Sequence, residues 1–253
     1  MTPDQYVESV LLKYTAPVGA NSPSEIIGST VAGPIRAWAG NQLNSLEYSG
    51  SYAKGTAIHG VSDADIFISL KADTTNSLKD LYEGVYSLAE SQGWSPRRQN
   101  VSIGIIINGN RGDLVSGKVQ SGYQNYHSLY LSKRDSWTQT NVANHIQIVS
   151  QSQRIKEIKA IKIWKALRQI DFPSLYLELF TINALNGHSR NAVATNVITV
   201  LRTIGSSLSS TRIVDPSNTN NILSDELTKA EKDRISALAA LSAVERSWAN
   251  IIW

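Results

Sequence analysis

Apolar positions along the first half of the chain alternate between strand and helix patterns. An apolar run at Ala64–Leu70 predicts a buried strand. Val101–Ile107 predicts another, and the Asn-Gly pair at 108–109 predicts a hairpin turn into a partner strand that carries Asp113. Between the two apolar runs, residues at helical spacing predict a helix that ends near Gly93: Leu78, Leu81, Tyr82, Val85 and Leu88. The sequence thus predicts an α+β arrangement.

Helix-start signals extend this picture to both ends of the chain. A hydroxyl residue followed three positions later by Glu or Gln is a capping box, and it occurs at Thr2–Gln5, Ser22–Glu25 and Thr228–Glu231. The second box predicts a helix running towards Asn44, and the third predicts a last helix over Lys229–Ile252. From about Asn141 onward the pattern is helical. We therefore predict a sheet-bearing lobe at 1–130 and a helical lobe at 131–253.

Composition narrows the chemistry. The chain has 253 residues, 42% of them hydrophobic, and no cysteine, and its four histidines are scattered. Thiolate catalysis and cysteine-type zinc sites are excluded, so any metal is expected to be a hard cation held by oxygen. The N-terminal segment lacks a basic region followed by an apolar run, and no stretch has the length of a membrane span. We expect a cytoplasmic protein that does not insert into a membrane.

Charge is distributed unevenly along the chain. Residues 1–90 carry a net charge of −5, residues 91–190 carry +8, and residues 191–253 are neutral, within a total of +3. A basic region facing an acidic one suits an anionic ligand on one side and a metal on the other. An ordinary solvated basic face explains the asymmetry equally well. Charge alone leaves both interpretations open.

Two aspartates at the start of the first strand point to the chemistry. Asp63 and Asp65 are separated by one residue, so on a strand they face the same way. Two ionised carboxylates about 5 Å apart repel each other by roughly 3 kcal/mol. Together with Asp113 they fit two magnesium ions roughly 4 Å apart. Upstream, Gly50 and Ser51 offer backbone N–H groups and a hydroxyl to phosphate oxygens. A plain turn and a solvated Asp-x-Asp are the alternative interpretation of each feature taken singly.

A lysine-bearing helix is the second candidate region. Apolar residues surround nearly the whole of Ile155–Leu167, yet the helix carries four lysines. Buried ammonium groups need partners, and the only acid nearby in sequence is Glu157. A bound triphosphate would supply partners for one or two of the lysines, whereas the others are expected to extend to solvent at the helix edge.

The segment at 50–70, GSYAKGTAIHGVSDADIFISL, resembles the G-S-x-x-x-G-T and S-D-x-D signature of the DNA-polymerase-β-like nucleotidyltransferases. Within that superfamily it is most similar to the bacterial CD-NTases, the second-messenger synthases related to oligoadenylate and cyclic-GMP-AMP synthases. Four further segments carry the resemblance over most of the chain: GDLVSGK, IKAIKIWKALR, FPSLYLELF and VDPSNTNNI. Two departures stand beside the third aspartate, where the family has a hydrophobic residue and a proline and this chain has Gly112 and Ser116.

The resemblance implies an α+β fold, with a nucleotidyltransferase lobe built on a mainly antiparallel sheet and a helical lobe that closes the nucleotide-binding cleft. It implies that Mg²⁺ or Mn²⁺ forms a two-metal site, that Asp113 also activates the attacking hydroxyl, and that four residues bind nucleotide. The implied metal ligands are Asp63, Asp65 and Asp113, and the implied nucleotide-binding residues are Gly50, Ser51, Lys162 and Ser174.

The implied function is the joining of NTPs, ATP among them, into a cyclic di- or oligonucleotide signal in bacterial anti-phage defence (CBASS), with release of pyrophosphate. Nucleotide addition to tRNA or another acceptor is the alternative. A catalytically inactive nucleotide-binding module is disfavoured, because all three carboxylates are present. No DNA- or RNA-binding module is recognisable, and regulatory protein partners are left open.

Overall fold

The computed structural model describes residues 1–253, apart from the side chain of residue 124. The α-helices are α1 (Pro3–Lys13), α2 (Pro23–Ala39), α3 (Gly50–Lys54), α4 (Leu78–Ser91), α5 (Val142–Ser150), α6 (Ile155–Leu167), α7 (Ser174–Ala184), α8 (Val193–Ser207) and α9 (Lys229–Ala243). The strands are β1 (Leu43–Ser49), β2 (Ala64–Leu70), β3 (Arg97–Arg98), β4 (Ile103–Ile107), β5 (Asn110–Gln120), β6 (Tyr123–Leu131), β7 (Ser136–Thr140), β8 (Val214–Asp215) and β9 (Asn218–Ile222).

The chain divides into two compact units. The sheet unit comprises 16–55 and 62–146, and the helical unit comprises 1–15, 56–61 and 147–253. This division differs from the predicted lobes in two respects. The N-terminal helix α1 packs against α6 and α8 and so joins the helical unit, and β6 and β7 extend the sheet past residue 130.

The main sheet is mixed but mostly antiparallel, which confirms the predicted α+β class. Its central order is β1-β2-β5-β4-β3, and β6 pairs with the second half of β5 and with β7. β2 and β5 pair in parallel, whereas the other strand pairs described in this sheet are antiparallel. The β4–β5 hairpin turns at Asn108 and Gly109, which both have positive φ as the Asn-Gly signal predicts.

Period-two alternation decides which side chains reach the core of the sheet unit. In β2, Ile66 and Ile68 are buried in a cluster with Ile27 and Ile35 of α2 and Val85 of α4. Successive residues on a strand point to opposite faces, so Asp65 lies on the face away from this cluster. By the same alternation Leu114 of β5 enters the core and Asp113 does not.

The helical unit has its own apolar core. Trp164 of α6, Tyr176 of α7, Val200 of α8 and Ile235 of α9 all belong to one buried cluster. The capping boxes at Thr2 and Thr228 begin α1 and α9 as predicted. At Ser22 the hydroxyl caps α2, but Glu25 accepts a hydrogen bond from Tyr48 instead of closing the box.

Several predicted boundaries are wrong. The helix from Ser22 ends at Ala39, where Gly40 has φ of 52°, and the following residues form β1. The last helix ends at Ala243, and the segment after it is held by tertiary hydrogen bonds: Arg168 donates to the carbonyls of Asn250 and Ile251. Among the helices that the structure describes, none combines the length and apolarity that crossing a membrane requires.

Candidate active site

The parallel pairing of β2 and β5 brings two of the predicted carboxylates side by side. Asp65 is directly opposite Asp113, and Asp65 also pairs with Ser49 on the other side, in β1. Asp63 immediately precedes β2, two residues before Asp65, and therefore faces the same side of the sheet. The three aspartates thus belong to one face of adjacent strands.

The turn after β1 is packed tightly against Asp65. Gly50 has φ of 58°, and a Cβ added to it would lie 1.6 Å from Oδ2 of Asp65. The backbone N–H of Ser51, which the sequence predicts to bind phosphate oxygens, donates a hydrogen bond to the Asp65 carboxylate. Lys54, at the end of the same short helix, is a buried cation that stabilises the charged form of Asp65.

The electrostatics at Asp65 are those of a site that favours a cation. Burial, and after it the charge on Asp113, raises the pKa of Asp65 to about 7, against the opposing influence of Lys54. A smaller contribution from Asp63 acts in the same direction as burial. A bound divalent ion would lower the pKa of Asp65, because an opposite charge favours the ionised carboxylate.

We expect the metal-free protein to lose stability as pH rises from about 4 to about 7. The folded state keeps a proton on Asp65 up to about pH 7, whereas the unfolded chain releases it near 4, so unfolding becomes easier through this window. The loss is at most about 4 kcal/mol. Urea denaturation in chelator at several pH values measures it. Asp65→Asn should flatten the profile and Asp73→Asn, at an exposed position, should not; equal profiles for both variants would contradict the assignment.

Asp63 has a different partner. Nε of Arg111 lies 2.8 Å from Oδ1 of Asp63, and both side chains are partly exposed. Arg111 is two residues before Asp113 on β5, so it points to the same face of the sheet. An exposed ion pair of this kind is worth at most about 1 kcal/mol, so a divalent cation can displace Arg111 from Asp63 at low cost.

Asp113 sits among hydrogen-bond donors. Burial, and after it the charge of Asp63, raises the pKa of Asp113, while Arg97, Gln99 and Ser102 act in the opposite direction. Nε2 of Gln99 donates to Oδ1 of Asp113 at 2.8 Å. These contacts stabilise the charged Asp113 carboxylate despite repulsion from Asp63.

The departure at Gly112 has a packing reason. A Cβ at this position would lie 2.9 Å from the carbonyl oxygen of Ala64 and 3.1 Å from Cγ2 of Ile27. The missing side chain lets β5 pack closely against β2 and α2. Gly112 is therefore compatible with the pairing of Asp113 and Asp65.

The donor set fits a hard metal. Carboxylate oxygens are the ligands that Mg²⁺ and Mn²⁺ prefer, and a bound cation would offset the burial and like charge that raise the pKa of Asp65. Within the described residues, however, no three acidic or histidine side chains are already arranged as a metal-binding cluster. Arg111 on Asp63 and Gln99 on Asp113 hold two of the carboxylates in the arrangement seen here.

Lys162 is engaged within the helical unit. Its Nζ lies 2.6 Å from Oε1 of Glu178, and it donates to the hydroxyl of Thr56 at 2.9 Å. Thr56 in turn donates to Glu178, and Lys162 is only 4% exposed. A triphosphate contact would require Lys162 to exchange this pair for phosphate oxygens. Ser174 is the first residue of α7 and is exposed.

We expect Lys162→Met to lower the free energy of unfolding by about 3 kcal/mol, because it leaves Glu178 buried and without its cation. Adding Glu178→Gln should recover part of the loss, since the buried charge is then removed. Lys156→Met on the same helix is the matched control: Lys156 pairs with Glu8 at the surface, where the cost is at most about 1 kcal/mol. Equal losses for Lys162→Met and Lys156→Met in urea denaturation would contradict a buried ion pair.

Sequence reasoning missed Lys54, Arg111, Gln99 and Glu178. Lys54 lies within the signature segment at 50–70, and Arg111 lies two residues before Asp113 on the predicted strand, so the sequence pattern could have identified both. Gln99 and Glu178 had none, because each reaches its partner only after distant segments pack together.

Solved structures with the same architecture decide the fold. CdnG of Bradyrhizobium diazoefficiens, solved with GTP, has a TM-score of 0.78 at 11% identity, over 96% of this chain and 90% of that one. The chain has the CD-NTase fold. The CdnE cyclic dinucleotide synthase of Elizabethkingia meningoseptica gives 0.73 at 13% identity, over 97% and 100%. CdnC of Escherichia coli MS115-1, solved with ATP, gives 0.71 at 17% identity, over 94% and 89%.

The CD-NTase fold confirms the architecture that the resemblance implies. No family profile matches the sequence, and a search of curated proteins found no match. At identities this low, likeness extends to the fold, and the roles of individual residues have to be argued from the site itself.

Proposed function

We propose that the chain is a metal-dependent nucleotidyltransferase that joins NTPs into a cyclic dinucleotide or short cyclic oligonucleotide. The observation that carries the proposal is the pairing of Asp65 with Asp113 on neighbouring parallel strands, with the Gly50 turn packed against Asp65. Carboxylates so close together, one of them with its pKa raised to about 7, suit a cation-dependent reaction on a phosphate substrate.

The neighbours with the same fold support a nucleotide substrate. The CdnE neighbour is a cyclic dinucleotide synthase solved with GTP and the analogue Apcpp, and the CdnG neighbour was solved with GTP. CdnC was also solved in a complex with a HORMA protein, which makes a protein regulator part of the proposal to be tested. A reaction on NTPs supports the proposal of a cytoplasmic enzyme, and anti-phage signalling is its proposed setting.

In the proposed reaction a ribose hydroxyl of one nucleotide attacks the α-phosphorus of another. A phosphorus–oxygen bond forms to the attacking oxygen, the bond from the α-phosphorus to the bridging oxygen breaks, and pyrophosphate leaves. Asp113 accepts the hydroxyl proton. Further transfers of the same kind extend the chain and close the ring, two in all for a cyclic dinucleotide, so each linkage releases one pyrophosphate.

Asp63, Asp65 and Asp113 would hold the divalent metal, which when bound supplies charge neutralisation at the triphosphate and lowers the pKa of the attacking hydroxyl. The hydroxyl of Ser51 is the proposed ligand of phosphate oxygens, because Ser51 follows Gly50 in the turn packed against Asp65. Within the helical unit, Lys162 and Ser174 are the residues proposed to bind nucleotide, Lys162 by exchanging Glu178 for phosphate.

The test is incubation of the purified chain with labelled NTPs, singly and in pairs, with Mg²⁺ or Mn²⁺. We expect phosphatase-resistant cyclic products together with pyrophosphate, and no product in excess chelator. Full turnover in chelator would contradict the metal site. A parallel reaction with tRNA distinguishes the alternative, because label would then appear on the acceptor and not in a cyclic product.

A further inference from the structure

Gln99 is held rigidly by its backbone at the end of the sheet. Its N–H donates to the carbonyl of Ser102 at 2.9 Å. Its own carbonyl accepts from the hydroxyls of Tyr82 and Ser132, each at 2.6 Å. Three anchors from three segments fix the position of this one residue, which follows directly after β3.

The side chain of Gln99 extends from this anchored backbone to the third carboxylate. Nε2 of Gln99 lies 2.8 Å from Oδ1 of Asp113, and Gly104 of β4 is paired between Arg97 and Asp113. A Cβ at Gly104 would lie 2.7 Å from Nε2 of Gln99 and 3.3 Å from Oδ1 of Asp113. Glycine at 104 therefore provides the space through which the amide reaches the carboxylate.

We propose that Gln99 is the positioning residue of Asp113, and that Gly104 provides its space. The inference rests on the proposed nucleotidyl transfer and adds to it the group that orients the carboxylate. An amide neither takes up a proton nor carries charge at neutral pH, so Gln99 acts only through Asp113. Its N–H fixes the rotamer of a carboxylate that repulsion from Asp63 would otherwise turn away.

Substitutions of similar size separate positioning from simple packing. Gln99→Met keeps the volume and removes the donor, and Gln99→Glu replaces the donor by a carboxylate that repels Asp113. If Gln99 positions Asp113, kcat falls about 10- to 100-fold in Gln99→Met and further in Gln99→Glu, with the KM for NTP within about threefold. The reason is that Asp113 acts when the bond forms. Gln120→Met is the control, because Gln120 donates to Ser128 at 3.1 Å elsewhere in the sheet.

A double-mutant cycle tests the role of Gly104. Gly104→Ala alone should lower kcat, because its methyl group displaces the amide. In the Gln99→Met background the same change should lower kcat clearly less, since the hydrogen bond from residue 99 to Asp113 is already lost. Additive effects of Gly104→Ala and Gln99→Met on kcat would contradict the proposal.

Crystal structures give a readout that does not depend on turnover. In Gln99→Met we expect Asp113 to leave its wild-type rotamer or to occupy more than one, while Gln120→Met leaves it unchanged. An unchanged Asp113 rotamer in Gln99→Met overturns the inference even if the wild type proves active. Absence of any product from the wild type would instead count against the proposed function, while the rotamer comparison still decides the role of Gln99.

Discussion

Asp113→Asn is expected to lower product formation by roughly a thousandfold or more while Mg-NTP still binds within about tenfold of wild type. The amide keeps the size of the carboxylate and can still accept the hydrogen bond from Gln99. It removes the negative charge at the point where the attacking hydroxyl must lose its proton. Calorimetric titration of Mg-bound non-hydrolysable ATP, beside product assays, measures both quantities.

Asp65→Asn is the comparison that makes this result specific. Asp65 is the carboxylate that the Gly50 turn surrounds, so its replacement should weaken Mg-NTP binding as well as catalysis. Near-normal turnover in Asp113→Asn would mean that another acid completes the site. Equal losses of binding in the two variants would mean that the aspartates share one role.

The sequence predicted the strand with Asp63 and Asp65 and the hairpin before Asp113 because both signals are local. Ala64–Leu70 is an unbroken apolar run, and Asn-Gly supplies the positive φ that its turn needs. These local signals do not tell which residues of β2 and β5 lie opposite each other, because that depends on the parallel register of the two strands. The register is set by packing against α2, where Gly112 makes room for Ile27.

The missed strands are those whose stability comes from pairing. β6 and β7 lie in a polar, tyrosine-rich stretch without clean alternation, so their pattern resembles a linker. β6 joins the sheet by pairing with β5, and β7 by pairing with β6, and Leu129 and Tyr130 of β6 are buried there. The start of β1 falls within the helix predicted towards Asn44, and the rest of β1 has no strand signal, because its apolar residues follow neither period and Gly40 ends the helix.

The sequence also indicated that cations, taken to be magnesium ions, should accompany the paired aspartates, but it identified no cationic side chain there. The structure supplies two from the chain itself: Lys54 beside Asp65 and Arg111 on Asp63. Lys162, in contrast, belongs to a buried pair with Glu178. The acid that a buried lysine contacts can come from any segment, so sequence distance to Glu157 was the wrong guide.

Gly50→Ala is expected to lower activity at least about a hundredfold, because the new methyl group and Oδ2 of Asp65 cannot occupy positions 1.6 Å apart. Either the turn or the carboxylate must move by more than an ångström, and displacements of about 1 Å at a catalytic centre cost on that order. Mg-NTP affinity should fall with it, since Asp65 is a proposed metal ligand. Steady-state kinetics and calorimetric titration test both effects.

Backbone strain alone does not account for an effect of this size. Gly50 has φ of 58°, and an L-residue in that region costs about 1 kcal/mol whatever surrounds it. Gly93→Ala is the matched control, because Gly93 has φ of 72° and a Cβ there meets nothing within 4 Å. Both variants should lose stability to backbone strain, and Gly50→Ala should lose more because of its clash with Asp65, but only Gly50→Ala should lose activity. Equal losses of activity in Gly50→Ala and Gly93→Ala would mean that backbone strain, and not the contact with Asp65, causes the effect.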